Sequence, residues 1–169
     1  MTSYYQKLDS PLGSIYIATD GTYLRILAIG KNWSTLENSL GNIVEKEHQI
    51  LAQTKHQLEE YFSNQRTKFD LPIHFTGTKF QISAWNALLK IPYGETRSYA
   101  QQARAIGNPK AVRAIGRANG LNPISIIAPC HRVIGSSGKL TGYASGLDHK
   151  KYLIDLEKTT TNQNTSLLE

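Results

Sequence analysis

One cysteine occurs in 169 residues, and it stands in the stretch Pro129-Cys130-His131-Arg132. A thiol, an imidazole and a guanidinium in consecutive positions are the ingredients of an activated sulfur nucleophile. A free thiol, with a pKa of about 8.5, is mostly protonated at neutral pH, and a neighbouring base or cation shifts it toward the reactive thiolate. Pro129 stiffens the approach. The apolar run before it, within "ISIIAPCHRVIG", places the thiol at or just after a strand, where nucleophiles are often held. By default, though, a lone cysteine is a small buried hydrophobe, and successive residues of a strand face opposite ways. An imidazole that ionises a thiol also needs a third group to orient it. Asp148, Asp155 and Glu157 are the nearby acids, and spacing does not choose among them. One Cys and five scattered His give no paired metal-ligand spacing, so no metal is expected.

The elements that must position these groups can be read from periodicity. "SIYIATDGTYLRILAI" (14–29) predicts two strands around the turn signal Asp20-Gly21, with "SPLGS" as a turn before them. Residues 48–63 place Ile50, Leu51, Leu58, Tyr61 and Phe62 at helical spacing. "KFDLPIHF" is a short extended segment whose Pro72 suits an edge. A domain junction is placed near Thr76–Gly77, giving an N-terminal domain 1–76, a C-terminal domain 77–157 and a polar, frayed tail 158–169.

In the second domain, 78–91 predicts a helix with Phe80, Ala84, Trp85, Leu88 and Leu89 on one face, broken by "PYGET". A further helix is capped by Ser98 and stopped by Gly107. The next has Asn108 as cap, Pro109 at its first position and Gly120 at its end. Two short helices joined by a tight Gly-containing turn make a helix-turn-helix. "SGLDHKKYLIDLE" predicts a last helix, with Leu147, Tyr152, Leu153 and Leu156 inward.

The charge is unevenly spread. Residues 1–76 hold seven Lys/Arg against eight Asp/Glu; residues 77–157 hold eleven against four. The basic excess lies in the half that holds the thiol, so a polyanion such as nucleic acid is the expected partner, with a solubilising surface as the plain alternative. No apolar run approaches ~18 residues and no signal-peptide pattern opens the chain, so no membrane partner and a reducing, cytoplasmic setting are expected. In the second helix of the pair, Ala111, Ala114 and Gly116 are small where a major-groove reader would carry long polar side chains. Small residues let a backbone approach either a minor groove or a core helix. Arg113 and Arg117 lie four apart, on one face, and Lys110 stands at the start.

"PCHRVIG", with Asn122 eight residues before the thiol, resembles the active-site motif of O6-alkylguanine-DNA alkyltransferases, the methylated-DNA–protein-cysteine methyltransferases. The resemblance runs from Phe80 to Glu157 almost without gaps, and "SPLGSIYIATDG" resembles the start of the family's N-terminal domain. In length the chain is closest to the single-gene bacterial form.

The resemblance implies an N-terminal α/β domain with a ribonuclease-H-like sheet and a mostly helical C-terminal domain bearing the helix-turn-helix. It implies direct reversal of damage: an alkyl group moves once and irreversibly from O6 of guanine in double-stranded DNA to Cys130, with no cofactor and no obligate protein partner, in a monomer acting at the nucleoid. His131 becomes the base, acting through a water; Glu157 orients it; Asn122 is the hinge. Arg113 enters the stack that the flipped base leaves, and Tyr99 assists rotation and donates toward guanine N3. Tyr143 lines the base pocket with Ala144 and Ser145, and Ala111, Ala114 and Gly116, flanked by Lys110 and Arg117, face the minor groove. Ser145 stands where the family usually has glycine and Ser125 where some members have proline, so the family's response to bulky benzylated guanine does not carry over to this chain. The alternatives are a non-catalytic alkyltransferase-like binder, which lacks the cysteine, and a helix-turn-helix transcription regulator.

Overall fold

The computed structural model describes the backbone of residues 1–168 and the side chains of residues 1–162. The chain divides into two compact units: Met1–Phe75 with Pro123–Ile127, and Thr76–Asn122 with Ala128–Glu169. The division is therefore not the single cut near residue 76 that composition predicts. Five residues just before the thiol fold with the first unit.

In the first unit, strands β1 (Thr2–Ser10), β2 (Gly13–Thr19) and β3 (Leu24–Ile29) form an antiparallel meander, and β4 (Asn42–Glu45) adds to β1 in parallel, giving the order β3-β2-β1-β4. The β2–β3 turn forms because Asp20 Oδ1 accepts from the amides of Thr22 and Tyr23, at 2.9 and 2.8 Å. Ile15 and Ile17 of β2 alternate inward, and helix α2 (Gln49–Phe62) buries Leu51, Leu58 and Tyr61. Trp33, on the short helix α1 (Asn32–Leu36), packs with Ala18, Ile26 and Ala28 and stacks on Tyr16, ring centroids 5.1 Å apart. The free side of β3 takes two single bridges. Leu24 N donates to Pro72 O at 2.7 Å, and Leu27 N donates to Pro123 O at 2.9 Å. Short partners of this kind blunt an edge without extending it.

The expected strand before the thiol is thus a single bridge at Ile124, followed by a turn in which Ile126 adopts φ +71°. A buried turn and a buried strand share the same apolar composition. Ser125 N donates to Leu27 O at 3.0 Å, a bond that proline could not make.

In the second unit, α3 (Lys79–Leu88) begins with a capping box of Thr78 and Gln81, and α4 (Tyr99–Ala105) with one of Ser98 and Gln101. Ala84, Trp85 and Leu88 are buried, but Leu89 caps the end of α3 and is exposed. Gly107, at φ +76°, lets the chain reverse. Helix α5 (Val112–Gly120) starts later than the sequence predicts. Asn108 and Pro109 make a turn, with Ala111 N donating to Asn108 O at 3.0 Å, and Ala111 becomes the cap. Two-residue strands β5 (Arg97–Ser98) and β6 (Val133–Ile134) pair in parallel around the thiol's turn. Helix α6 (Leu147–Leu168) runs on through the segment predicted to fray. Thr160 is buried there, and Thr160 and Thr161 bond back to the carbonyls of Leu156 and Glu157. The inward face of α6 is also rotated from the expected one: Leu147 and Tyr152 are exposed, while Lys150, Leu153, Ile154 and Glu157 are buried.

Candidate active site

Cys130 opens a three-residue 3-10 turn, Cys130–Arg132, with Arg132 N donating to Pro129 O at 3.0 Å. In such a turn consecutive side chains diverge by about 120°, so His131 is not forced to the face opposite the thiol as it would be on a strand. Asn122, just past the end of α5, donates from Nδ2 to Ala128 O at 2.8 Å and to the Cys130 sulfur at 3.3 Å. One buried amide therefore joins the helix end to the residues that lead into the thiol.

Of the three acids on α6, Glu157 meets the imidazole. His131 Nε2 and Glu157 Oε2 lie 2.6 Å apart, both side chains fully out of solvent. Arg132 Nε donates to Glu157 Oε1 at 2.7 Å, its Nη2 to Oε2 at 3.1 Å, and its Nη1 to Ile91 O at 2.6 Å. Gly94 N adds a fourth donor to the carboxylate, at 3.3 Å. Asp155 pairs instead with Lys151 at the surface, and Asp148 is exposed. Burial would raise the Glu157 pKa; the charges and hydrogen bonds of His131 and Arg132 outweigh it and hold the carboxyl well below its usual range.

An ionised Glu157 must take a hydrogen from Nε2, which leaves the lone pair of the neutral imidazole on Nδ1. Nδ1 is buried, with no protein hydrogen-bond partner among the described residues. The site thus holds a base atom with its proton capacity unused. The thiol itself is not a preformed thiolate. Burial pushes the Cys130 pKa up, against the opposing pull of the Asn122 amide and the Lys150 charge, and burial pushes His131 down despite Glu157. Both shifts favour the neutral thiol and the neutral imidazole over the ion pair their adjacency suggests.

Lys150 is the group that sequence reasoning missed. Its fully buried side chain donates from Nζ to Thr141 O at 2.9 Å, Gly142 O at 3.2 Å and Tyr99 Oη at 3.3 Å. Tyr99 Oη donates to Thr141 O at 2.7 Å. Lysine and tyrosine together hold the loop that carries Tyr143, Ala144 and Ser145. Ser145 Oγ is bonded to His149 Nδ1 at 2.9 Å, Tyr143 is half-buried and Ala144 exposed. A charge seven residues before Glu157 on the same helix face was the available signal.

On α5, Arg113, Ala114 and Arg117 are exposed, Ala111 and Gly116 partly so, and Lys110 lies exposed just before the helix. Ile115 and Ala118 face the core instead. The small size of Ala114 is therefore not explained by packing. A groove of about 380 Å³ runs between this face and the start of α3, lined by Thr78, Phe80, Gln81, Arg113, Ala114, Arg117 and Ala118. Among the described residues no cluster of His, Cys, Asp and Glu could hold a metal ion.

Residues 3–75 match the ribonuclease-like domain of 6-O-methylguanine DNA methyltransferase, and residues 79–159 match its DNA binding domain. The chain belongs to the 6-O-methylguanine DNA methyltransferase family. Within it, the chain is 50% identical over 154 residues to the methylated-DNA–protein-cysteine methyltransferase of Methanosarcina acetivorans, covering 91% of this chain and 97% of that one. It is 44% identical to the constitutive enzyme of the same name from Bacillus subtilis, covering 92% and 96%. Among solved structures, that of Mycobacterium tuberculosis OGT in complex with DNA superposes with a TM-score of 0.84 at 46% identity, covering 93% of this methyltransferase-family chain and 94% of the other.

Proposed function

We propose that this protein repairs DNA by moving an alkyl group from O6 of guanine to Cys130. The observation that carries the proposal is the joined set Asn122–Cys130 and His131–Glu157–Arg132: a sulfur with one donor, beside an imidazole whose free nitrogen is fixed by a carboxylate. In the step, a bond forms between Cys130 sulfur and the alkyl carbon as the carbon–O6 bond breaks. The thiol proton passes through a water to His131 Nδ1, and the guanine leaving group takes up a proton. Tyr99 is the donor toward guanine N3 once its hydroxyl turns from Thr141. The product thioether resists hydrolysis, so each chain acts once.

A base inside a duplex is out of reach of a buried sulfur, so the nucleotide must be flipped out, at a cost of a few kcal/mol. We assign α4 and α5 as a helix-turn-helix that enters the minor groove with Ala111, Ala114 and Gly116, phosphate contacts at Lys110 and Arg117, and Arg113 filling the gap in the stack. Tyr143, Ala144 and Ser145 line the pocket for the flipped base. The first unit we assign to a ribonuclease-H-like sheet, which the order β3-β2-β1-β4 with β4 parallel to β1 supports. All groups of the relay come from one chain, which supports action as a monomer. Incubation with a duplex carrying methyl-labelled O6-methylguanine tests the proposal: one label per chain is expected, none on Cys130→Ala, and undiminished duplex affinity in that variant. Label on Cys130→Ala would remove Cys130 as acceptor.

A further inference from the structure

The buried centre of the apolar contact among α3, α4 and α5 is Ala84, Ala103, Ile115 and Ala118, with Phe80, Tyr99 and Ile106 packed against it. Three of the four fully buried residues are alanines, which interlock less deeply than larger side chains and so specify the helix register less sharply. A polar pair lies inside this contact. Gln102 of α4 donates from Nε2 to Asn119 Oδ1 of α5 at 2.9 Å, and Asn119 donates from Nδ2 to Gln102 Oε1 at 2.7 Å. Gln102 Nε2 also donates to Ala84 O of α3, at 3.1 Å. Both side chains are buried, 3% and 7% exposed. Beside them Trp85 Nε1 donates to Ala118 O at 2.8 Å.

We propose that the Gln102–Asn119 pair sets the register of α5 against α3 and α4, and so positions the DNA-reading face. This rests on the proposed function above. Two antiparallel amide bonds are met together in one arrangement only. A one-residue change of register couples a rise of about 1.5 Å to a rotation of about 100°, which turns the partner side chain away and unmakes both bonds. Once unmade, neither amide finds water in this interior, so the slipped state is strongly disfavoured, whereas an apolar pair of the same bulk would tolerate it. The consequence falls on the DNA-facing end of α5, where Arg113 and Ala114 lie one to two turns before Asn119. Gln102 and Asn119 are positioning residues: they act through the placement of α5.

Two double variants of the full chain test this, each first checked for folding by circular dichroism. Gln102→Leu/Asn119→Leu removes both amides, and Gln102→Asn/Asn119→Gln keeps them with their lengths exchanged. The readouts are affinity for an undamaged duplex by fluorescence anisotropy, and methyl transfer from a duplex and from free O6-methylguanine. The apolar pair is expected to lose about tenfold in duplex affinity and duplex rate, with the free-base rate within about twofold of wild type; the exchanged pair is expected to match wild type. Wild-type duplex affinity in the apolar pair, or equal losses on duplex and free base, would overturn the inference. If the apolar pair does not fold, the exchanged pair decides: tenfold weaker duplex binding in a folded protein overturns it. A wild type that transfers no methyl group would sink the proposed function, while the affinity comparison would still judge the pair.

Discussion

Glu157→Gln keeps the shape of the carboxylate and removes its charge, and its consequences follow from the four donors that converge there. With the amide oxygen toward Arg132 Nε and Gly94 N, the amide nitrogen takes the place of Oε2 and points at His131 Nε2, 2.6 Å away in the native pair. The amide then donates to the imidazole, which must carry its lone pair on Nε2 and its hydrogen on Nδ1. The base atom is lost although no group has moved. This orientation sets N–H against N–H at Arg132 Nη2 alone, whereas the other does so at both Arg132 Nε and Gly94 N. Losing a general base costs about 10²–10⁴-fold in rate, so transfer is expected to fall by at least ~10²-fold. Free base and duplex should lose equally, because DNA contact is untouched. Removing one partner of a buried ion pair costs roughly 3–5 kcal/mol. Arg132 keeps its bond to Ile91 O and its place over the Tyr93 ring, 5.6 Å from the centroid, which puts the loss near the lower end, about 3 kcal/mol.

The pH dependence has a definite sign. An unfolded glutamate titrates near 4.3, and the folded carboxyl is held lower. The group's contribution to stability is therefore complete above about pH 5 and is lost as pH falls through the unfolded value toward the folded one, by at most ~1.4 kcal/mol per pH unit. Wild type carries this slope and Glu157→Gln does not, so the stability gap between them should narrow in acid. Intact-mass kinetics on Cys130 and urea unfolding at pH 7 and pH 4 measure both effects. Wild-type transfer rates in Glu157→Gln, or a stability gap that does not change with pH, would refute the proton relay drawn here.

Arg113→Ala should slow transfer from duplex about tenfold, ~1.4 kcal/mol, while leaving free O6-methylguanine unchanged, because the guanidinium offsets only the cost of extruding a base; equal losses on both substrates would remove that role. Lys150→Met removes the ammonium from Tyr99 Oη and from the carbonyls of Thr141 and Gly142, leaving the Tyr99–Thr141 bond. Amide hydrogen exchange at 141–146 should quicken, and the Cys130 titration should move further up, because the Lys150 charge opposes its rise; unchanged exchange would refute the tether. Gly94→Ala puts a Cβ at φ +78° against Thr161 Oγ1 and displaces an amide that serves Glu157, at a cost of about 1–3 kcal/mol by thermal unfolding; no shift in Tm would refute the close approach.

Local signals predicted much of this fold. Asp20-Gly21 made a turn, and Thr78 and Ser98 began helices, because each acts through bonds to its own neighbours. Strand β1 was illegible: its side chains are mostly half-buried with no clean alternation, and backbone pairing to β2 and β4 holds it. Asn108-Pro109 did mark a chain reversal, but the reversal consumed the first turn that the helix was expected to have.

The site was legible where chemistry is local, at Cys130 and His131, and obscure where it depends on burying charge. Hydrophobic periodicity places Tyr152 inward on α6 and leaves Lys150 and Glu157 outside; the structure inverts this. An inward lysine and glutamate violate the pattern that drives a helix onto its core, and each is tolerated only because donors or acceptors already wait for it: the Thr141 and Gly142 carbonyls for one, His131 and Arg132 for the other. Those partners lie elsewhere in the chain, so no window on α6 alone contains the reason. A helix that sacrifices two inward positions to charge, seven residues apart on one stripe, carries the signature of a site, because packing alone would have filled both with leucine.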